Sequence, residues 1–518
     1  MTGREGAAAH GQFCSAASWV PHQTVAAVPG APSLVRLEHL SYSVAKDEET
    51  PSVVPAKAMD KKIVLFHPPT DLGYSVLTPL GLAAIHAATP PGYLADVRDM
   101  TKKRWSDVSI DAFAPYDIIA VSVRYTYNER KIKRFLRLLA DRFPHKTIIA
   151  GGPHATHDID GMLSSGCRFI VRFSGEKTWA ELLEHLRDGR EPEGVMGLAF
   201  MRNGRVHVTP ERPFVDPNDL PIPSFHVFAP KEYPFAMGLF GASLEASRGC
   251  PNHCRFCTNP RAWHGKWAPK RVPRIIEEVD RLEALGFTFL FFADDNFGVS
   301  AAHLEELLDA LARRKTVVPF MAAVHPRTIA RDPGLLDLAW RAGMRIASLD
   351  TNTIDDRILE HYDRRDGLET VKTALDAVRA SRIAAVSNVI VGAPGETRET
   401  MLRNIRFTKT HADVFSCGTL EPRPGNLYWK ESDWARTEQM CKGEALLHED
   451  PKMVRRLIRW ALLSYYFHPR NIGRAFFSPK IGTRILFRLH FRLYSSAVAH
   501  RLLRKDRTSW PGATTAGV

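Results

Sequence analysis

Cys250, Cys254 and Cys257 stand four and three residues apart in Ser247-Arg248-Gly249-Cys250-Pro251-Asn252-His253-Cys254-Arg255-Phe256-Cys257. Thiolates packed this closely can converge on one metal centre, and cysteine is the usual ligand of an iron–sulfur cluster. Three protein ligands leave one of four irons open to bind a substrate group, whereas a purely electron-carrying cluster normally has four cysteines. The competing reading is a buried trio or a zinc site, with His253 or His264 as the fourth zinc ligand.

Other polar residues fall at the ends of β-type runs. Phe291-Phe292-Ala293-Asp294-Asp295-Asn296-Phe297 carries two acids able to accept from an ammonium, although Asp295 also suits an Asx turn and helix cap before Ser300. Asp350 follows Leu349, and Asn388-Val389-Ile390-Val391-Gly392-Ala393-Pro394-Gly395-Glu396-Thr397 supplies glycines that let backbone approach a ligand, with Glu396 and Thr397 suited to a helix start. Cys417 either faces a barrel interior as a catalytic candidate or is a small core residue. Upstream, four strand-end loops suit a large ligand: His67-Pro68-Pro69-Thr70, Ser122-Val123-Arg124-Tyr125, Gly151-Gly152-Pro153-His154-Ala155-Thr156 and Phe173-Ser174-Gly175-Glu176. Paired glycines remove side chains where a macrocycle or its tail must come close.

With Phe256 as its aromatic member, the cysteine segment resembles the radical SAM signature CxxxCx(aromatic)C. The resemblance implies that the open iron chelates S-adenosylmethionine and that reductive cleavage releases a 5'-deoxyadenosyl radical. It also implies that Asp294 and Asp295 contact the methionyl part and that the stretch holding Ile390 and Gly392 meets the adenine side. Asp350 stands where many relatives carry a Glu for the ribose hydroxyls. In order and wording the upstream loops resemble the cobalamin-binding domain fused to such barrels in class B methylases, which makes Ser122, Arg124, Gly151, Gly152, His154, Gly175 and Glu176 cofactor-binding candidates. The sequence lacks Asp-x-His-x-x-Gly, by which other cobalamin proteins supply a lower axial histidine, so cobalt is expected without that ligand and His154 in a loop role. A nucleotide-binding or purely structural Rossmann-like domain is the alternative.

The resemblance, running from Lys62 to Arg423, implies a cobalamin-dependent radical SAM methyltransferase that methylates an unactivated carbon, or phosphorus, of a small-molecule specialised metabolite. One S-adenosylmethionine methylates cobalt, a second generates the radical, and the substrate radical captures the methyl. One rival is an enzyme of the same architecture performing ring contraction, cyclisation or oxidation; another is a cobalamin sensor or carrier with a structural cluster. An electron donor such as flavodoxin or ferredoxin is the implied protein partner.

The elements around these residues alternate. Ile63–Phe66, Ile118–Ser122, Thr147–Ala150 and Phe169–Val171 are short apolar runs separated by helical patterns such as Glu129–Arg142. A second alternating series starts near Ser243 and ends near Arg423. The fold class is α/β: an N-terminal Rossmann-like cobalamin-binding domain, a partial (β/α) TIM-type barrel and a helical basic C-terminal tail. The expected boundaries are a disordered leader over 1–58, the first domain over 59–190, a hairpin and Pro-rich linker over 191–240, the barrel over 241–425 and the tail over 426–518.

The chain has 518 residues, enough for more than one core, and a net charge of +13. Lys452 to Arg507 holds 14 Lys and Arg against Asp506 alone, so the rest is close to neutral and no nucleic-acid partner is expected. Seven cysteines are too few for a disulfide scaffold. Without a signal-peptide core or a run of roughly 20 apolar residues, a cytoplasmic protein is expected. Arg484, Arg488 and Arg492 share one helical face, so the tail either packs across the barrel or makes peripheral contact with an anionic membrane.

Overall fold

The computed structural model describes residues 60–70, 77–124, 129–364, 366–430 and 447–489. The expected leader, Tyr125 and Arg492 lie outside the described residues.

The first sheet contains β1 (Lys61–His67), β2 (Tyr93–Asp99), β3 (Ile118–Ser122), β4 (Thr147–Gly151), β5 (Phe169–Val171), β6 (Leu198–Arg202) and β7 (Arg205–Val208), in the order β2-β1-β3-β4-β5-β6-β7. β1 to β5 are parallel, and Ile63 to Phe66 are buried, as a sheet covered on both faces requires. The helix Glu129–Arg142 covers one face with Ile132, Phe135, Leu136 and Leu139, spaced three, one and three apart on one stripe. The hairpin assigned by sequence to the linker is instead part of this sheet: β6 pairs antiparallel with β5, and β7 with β6.

The second unit begins at β8 (Gly241–Leu244). The short strands β9 (Ser247–Gly249) and β10 (Trp267–Pro269) pair antiparallel and bracket the cysteine segment. β11 (Phe289–Phe297), β12 (Phe320–Val324), β13 (Met344–Asn352), β14 (Ala384–Val391) and β15 (Val414–Thr419) complete a six-stranded parallel sheet in the order β8-β11-β12-β13-β14-β15. Helices lie between the strands, and two of their starts are capped by local side chains, Ser300 accepting from the His303 amide at 3.4 Å and Thr397 from the Thr400 amide at 3.2 Å.

One apolar core crosses from the first sheet to the second, joining Ile63, Leu65 and Trp179 to Leu244, Phe292 and Phe320. Polar bonds add to it: Tyr233 Oη donates to Asp99 Oδ2 at 2.9 Å and the Ser243 amide to Thr78 Oγ1 at 3.0 Å. A second core lies under the C-terminal region. There the helix Pro451–Tyr466 packs Val454, Leu457, Ala461 and Leu462 against β15, and residues 481–489 add Ile485, Leu486 and Phe487. Of the two readings of the tail, packing on the barrel therefore holds for its described part.

Candidate functional site

The cysteine segment projects from the β9–β10 ribbon at the carboxyl ends of the barrel strands. Gly249, just before Cys250, has φ +88, and a Cβ there would lie 2.2 Å from the Lys266 carbonyl oxygen, so only glycine lets the two strands cross this closely. Cys250 is buried; Cys254 and Cys257 are half-buried, and the Cys257 amide donates to the Cys254 carbonyl at 3.0 Å. Burial pushes all three thiols up, Cys257 to about 12, and Cys257 also senses the charges of Cys254 and Cys250. Buried thiols of this kind become thiolates when a cation takes up their charge.

Among the described residues no three His, Cys, Asp or Glu side chains close to the spacing of a single ion. The ring of His264, one alternative fourth zinc ligand, is taken by Glu211 Oε1 at 2.5 Å. The donor set and its spread fit an iron–sulfur cluster better than zinc.

Two residues that local spacing does not single out, Asn296 and Arg364, act on these thiols. Asn296 bonds toward Cys250, and its buried Oδ1 has no hydrogen-bond partner among the described residues. Arg364 acts electrostatically on Cys250 and Cys254; it is held by Asp366 Oδ2 at 3.1 Å and by the Asp350 carbonyl at 2.8 Å. Asn352 ends β13 at φ 54 with a buried, unpartnered Nδ2. Unpartnered buried polar atoms at strand ends suit a polar ligand in the recess.

The predicted acids divide. Asp294 is buried behind the site, accepting from the Ala246 amide at 2.9 Å and Ser247 Oγ at 2.5 Å, so it braces the strand leading into the cysteines. Burial pushes its carboxyl up to about 7. Asp295 is accessible but enclosed by protein, which pushes it up to about 6 against hydrogen bonds from Trp263 and Asn259; it faces Cys250 and Cys257. It does not cap a helix, since β11 continues to Phe297 and Ser300 is the cap.

Asp350 is exposed at the end of β13 and accepts from Asn388 Nδ2 at 2.6 Å, its register partner on β14. Ile390 is half-buried beside Phe256 and Tyr362. The Gly392 amide donates to Glu396 Oε2 at 2.7 Å, so this stretch is shaped by a buried glutamate whose carboxyl burial raises to about 7. Cys417 does not face the barrel interior. It lies in register with Val389, and both sit in the core beneath the helix Pro451–Tyr466, which makes it a packing residue.

At the carboxyl edge of the first sheet, Ser122 and Gly151 are register partners and Gly152 follows at φ +101. A Cβ on Gly152 would come within 2.9 Å of the Val123 carbonyl oxygen. The His154 amide donates to that same oxygen at 3.1 Å, while its buried ring lies 3.3 Å from Asp158 Oδ2, a loop role turned into the protein. His67, at the end of β1, is held below its usual range by burial and then by the charge of Arg124, against the pull of Asp99; its buried Nε2 has no hydrogen-bond partner among the described residues. Arg124 is exposed on this edge. A side-chain-free cradle beside an unpartnered imidazole nitrogen suits a large ligand with amide groups, such as cobalamin. Gly175 opens the helix that carries Glu176, and Glu176 Oε1 bonds Arg248 Nη1 at 2.9 Å. Arg248 stands two residues before Cys250, so this ion pair joins the two edges instead of pointing into either recess.

Residues 244–408 match the radical SAM superfamily and residues 73–183 the B12 binding domain. An uncharacterized methyltransferase of Pyrococcus horikoshii is 25% identical over 80% of this chain and 95% of its own length. Hopanoid C-3 methylase of Methylococcus capsulatus is 24% identical over 68% of each chain. The anaerobic magnesium-protoporphyrin IX monomethyl ester cyclase of Synechocystis is 25% identical, but this chain covers only 51% of it. The solved structure of the radical S-adenosylmethionine methyltransferase TsrM from Kitasatospora setae, with cobalamin and a 4Fe-4S cluster bound, superposes with a TM-score of 0.59 at 21% identity, over 71% of this chain and 74% of that one. The cobalamin-dependent S-adenosylmethionine radical enzyme OxsB gives 0.61 at 14% identity, over 86% and 73%. With both domains matched in this order on one chain, the protein belongs to the cobalamin-binding radical SAM family, whose cofactors are a 4Fe-4S cluster, S-adenosylmethionine and cobalamin.

Proposed function

We propose that the chain methylates an unactivated carbon of a small-molecule substrate, drawing the methyl group from S-adenosylmethionine. The observation that carries this reading is the Glu176–Arg248 ion pair, which ties the glycine-rich edge of the first sheet to the strand entering the cysteine segment. Two cofactor edges fixed against each other serve a reaction in which a radical made at one is quenched by a group carried at the other.

In this reading Cys250, Cys254 and Cys257 hold the cluster. Asp295 and Asn296 receive the methionyl end of S-adenosylmethionine, while Asp350, Ile390 and Gly392 line its nucleoside side. Ser122, Arg124, Gly151 and Gly152 form the cobalamin cradle. When bound, the cluster supplies an electron and cobalamin carries the methyl group. The protein's part is to orient these groups and to exclude water from the recess. An electron-transfer protein such as flavodoxin or ferredoxin supplies the reductant, and the substrate is a specialised metabolite.

Reductant, candidate substrate and S-adenosylmethionine labelled in its methyl group should give labelled product, with 5'-deoxyadenosine and S-adenosylhomocysteine in about equal amounts. Replacing the three cysteines with Ala should abolish all cleavage. Substrate conversion with 5'-deoxyadenosine but no labelled product would replace methylation by cyclisation, ring contraction or oxidation, a reading that the similarity to a named cyclase keeps in view.

A further inference from the structure

The amino-terminal ends of β13, β14 and β15 form the floor of the barrel, opposite the cysteine segment. Two open recesses lie there, each of about 460 Å³. Arg341, Arg345 and Arg382 line the first around Trp340, with Asp337 as its acid. Arg379, Arg470, Arg474 and Lys480 line the second with Asp413 and Phe477. The recesses meet where the helix Leu368–Ala380 leads into β14, because Arg379 borders one and Arg382 the other. Seven cations thus face two acids. Asp413 is already paired, at 3.2 Å to Arg474 and 2.8 Å to Lys480, so the floor keeps a strong positive excess.

Aromatic side chains stand at the same place. Phe477, on the rim of the second recess, is 86% exposed, and its neighbour Phe476 is 53% exposed. On the preceding helix Trp460 and Leu463, one turn apart, are also exposed. Large apolar side chains beside uncompensated arginines are what a helix presents to the headgroup layer of an anionic bilayer. No described helix is long and apolar enough to cross a membrane, so such contact would be peripheral.

We propose that the barrel floor docks on an anionic lipid surface, with Phe477 entering the headgroup layer and the arginine-lined recesses receiving lipid phosphates. Docking there leaves the cysteine segment, at the other end of the strands, facing away from the bilayer.

The test is flotation of the full-length protein with vesicles of phosphatidylcholine alone or mixed with phosphatidylglycerol. Protein should float with the phosphatidylglycerol vesicles and be released by high salt, which screens the arginines. Phe477→Ser and Arg470→Glu, both at exposed positions, should each weaken binding about tenfold or more while melting like the parent chain. Equal flotation with both lipids, or binding untouched by either substitution, overturns the proposal. So does tight capture of an RNA duplex that persists in Phe477→Ser, or a dimer in sedimentation that Phe477→Ser abolishes, since the face would then serve nucleic acid or a second copy.

Discussion

Asp294 holds a proton over the range where an ordinary carboxylate would have lost it, because burial pushes its carboxyl up to about 7. The unfolded chain releases that proton nearer the usual value for Asp, roughly 4, so between about pH 4 and 7 the folded state binds more protons than the unfolded one. The contribution of Asp294 to stability is therefore fully present below the unfolded value and is lost as pH rises through about 7, with a slope of at most about 1.4 kcal/mol per pH unit. Asp294→Asn should remove this slope while keeping an acceptor for the Ala246 amide. Urea midpoints of the two proteins should lie close together near pH 5 and separate as pH rises toward 8, with the parent falling below the variant, and parallel curves would show that Asp294 is ionised throughout. The role of Asp294 was only half legible in sequence. Its type and strand-end position were plain, but its partners Ala246 and Ser247 are nearly fifty residues away, and no local spacing reveals such a pairing. Arg248 with Glu176 and Arg364 beside the thiols escaped for the same reason. The cysteines did not, because all three lie in one loop.

At the scale of elements, periodicity served where strands are buried on both faces. The apolar run Ile118 to Ser122 is β3 to the residue, and the helical pattern Glu129 to Arg142 is a helix with those same ends. β2 shows no apolar run in sequence because it is a sheet edge, where Tyr93 to Asp99 alternates with charges. The hairpin β6–β7 belongs to the first sheet and not to the linker, because a sequence shows that two strands pair but not which sheet they join. Gly152 is an element-level requirement that sequence did suggest. At φ +101 and ψ 175 a side chain costs about 1–3 kcal/mol in backbone strain, and its Cβ would press on the Val123 carbonyl, which is backbone and cannot swing aside. Gly152→Ala should lower the melting temperature of the cofactor-free chain by several degrees and weaken cobalamin binding, read from the cobalamin spectrum after desalting. An unchanged melt with full cobalamin retention would mean that the β4 loop relaxes and the cradle is not set by this glycine.

For the whole molecule, chain length allows more than one core, yet one of these cores runs across both sheets instead of staying within a domain. The barrel shares that core with one face of the first sheet, the other face of the first sheet has a core of its own around Phe66, Phe135 and Ile148, and a further core belongs to the barrel wall and the C-terminal helices. The basic tail is thus two things at once, and its charge count in sequence could not separate them. Its inner face completes the fold: Val454, Leu457, Ala461 and Leu462 cover β15, and the hydroxyls of Tyr465 and Tyr466 donate to the carbonyls of Asp413 and Phe415 at 3.0 and 2.7 Å. Burying a single large apolar side chain is worth about 1.5–3 kcal/mol, whereas a whole domain is stable by only about 5–15 kcal/mol. Deleting the chain after Pro451 removes all these contacts and uncovers Val414, Phe415 and Cys417. The truncated protein should aggregate at concentrations where the intact protein is monodisperse, and it should bind an apolar dye that the intact protein does not. Substitution of the outward Phe477 should do neither, because its ring is in water before and after the change. Light scattering of the two variants against the parent checks both halves of the argument, and a soluble truncated chain with a parental melting curve would mean that these helices rest on the barrel without holding it together.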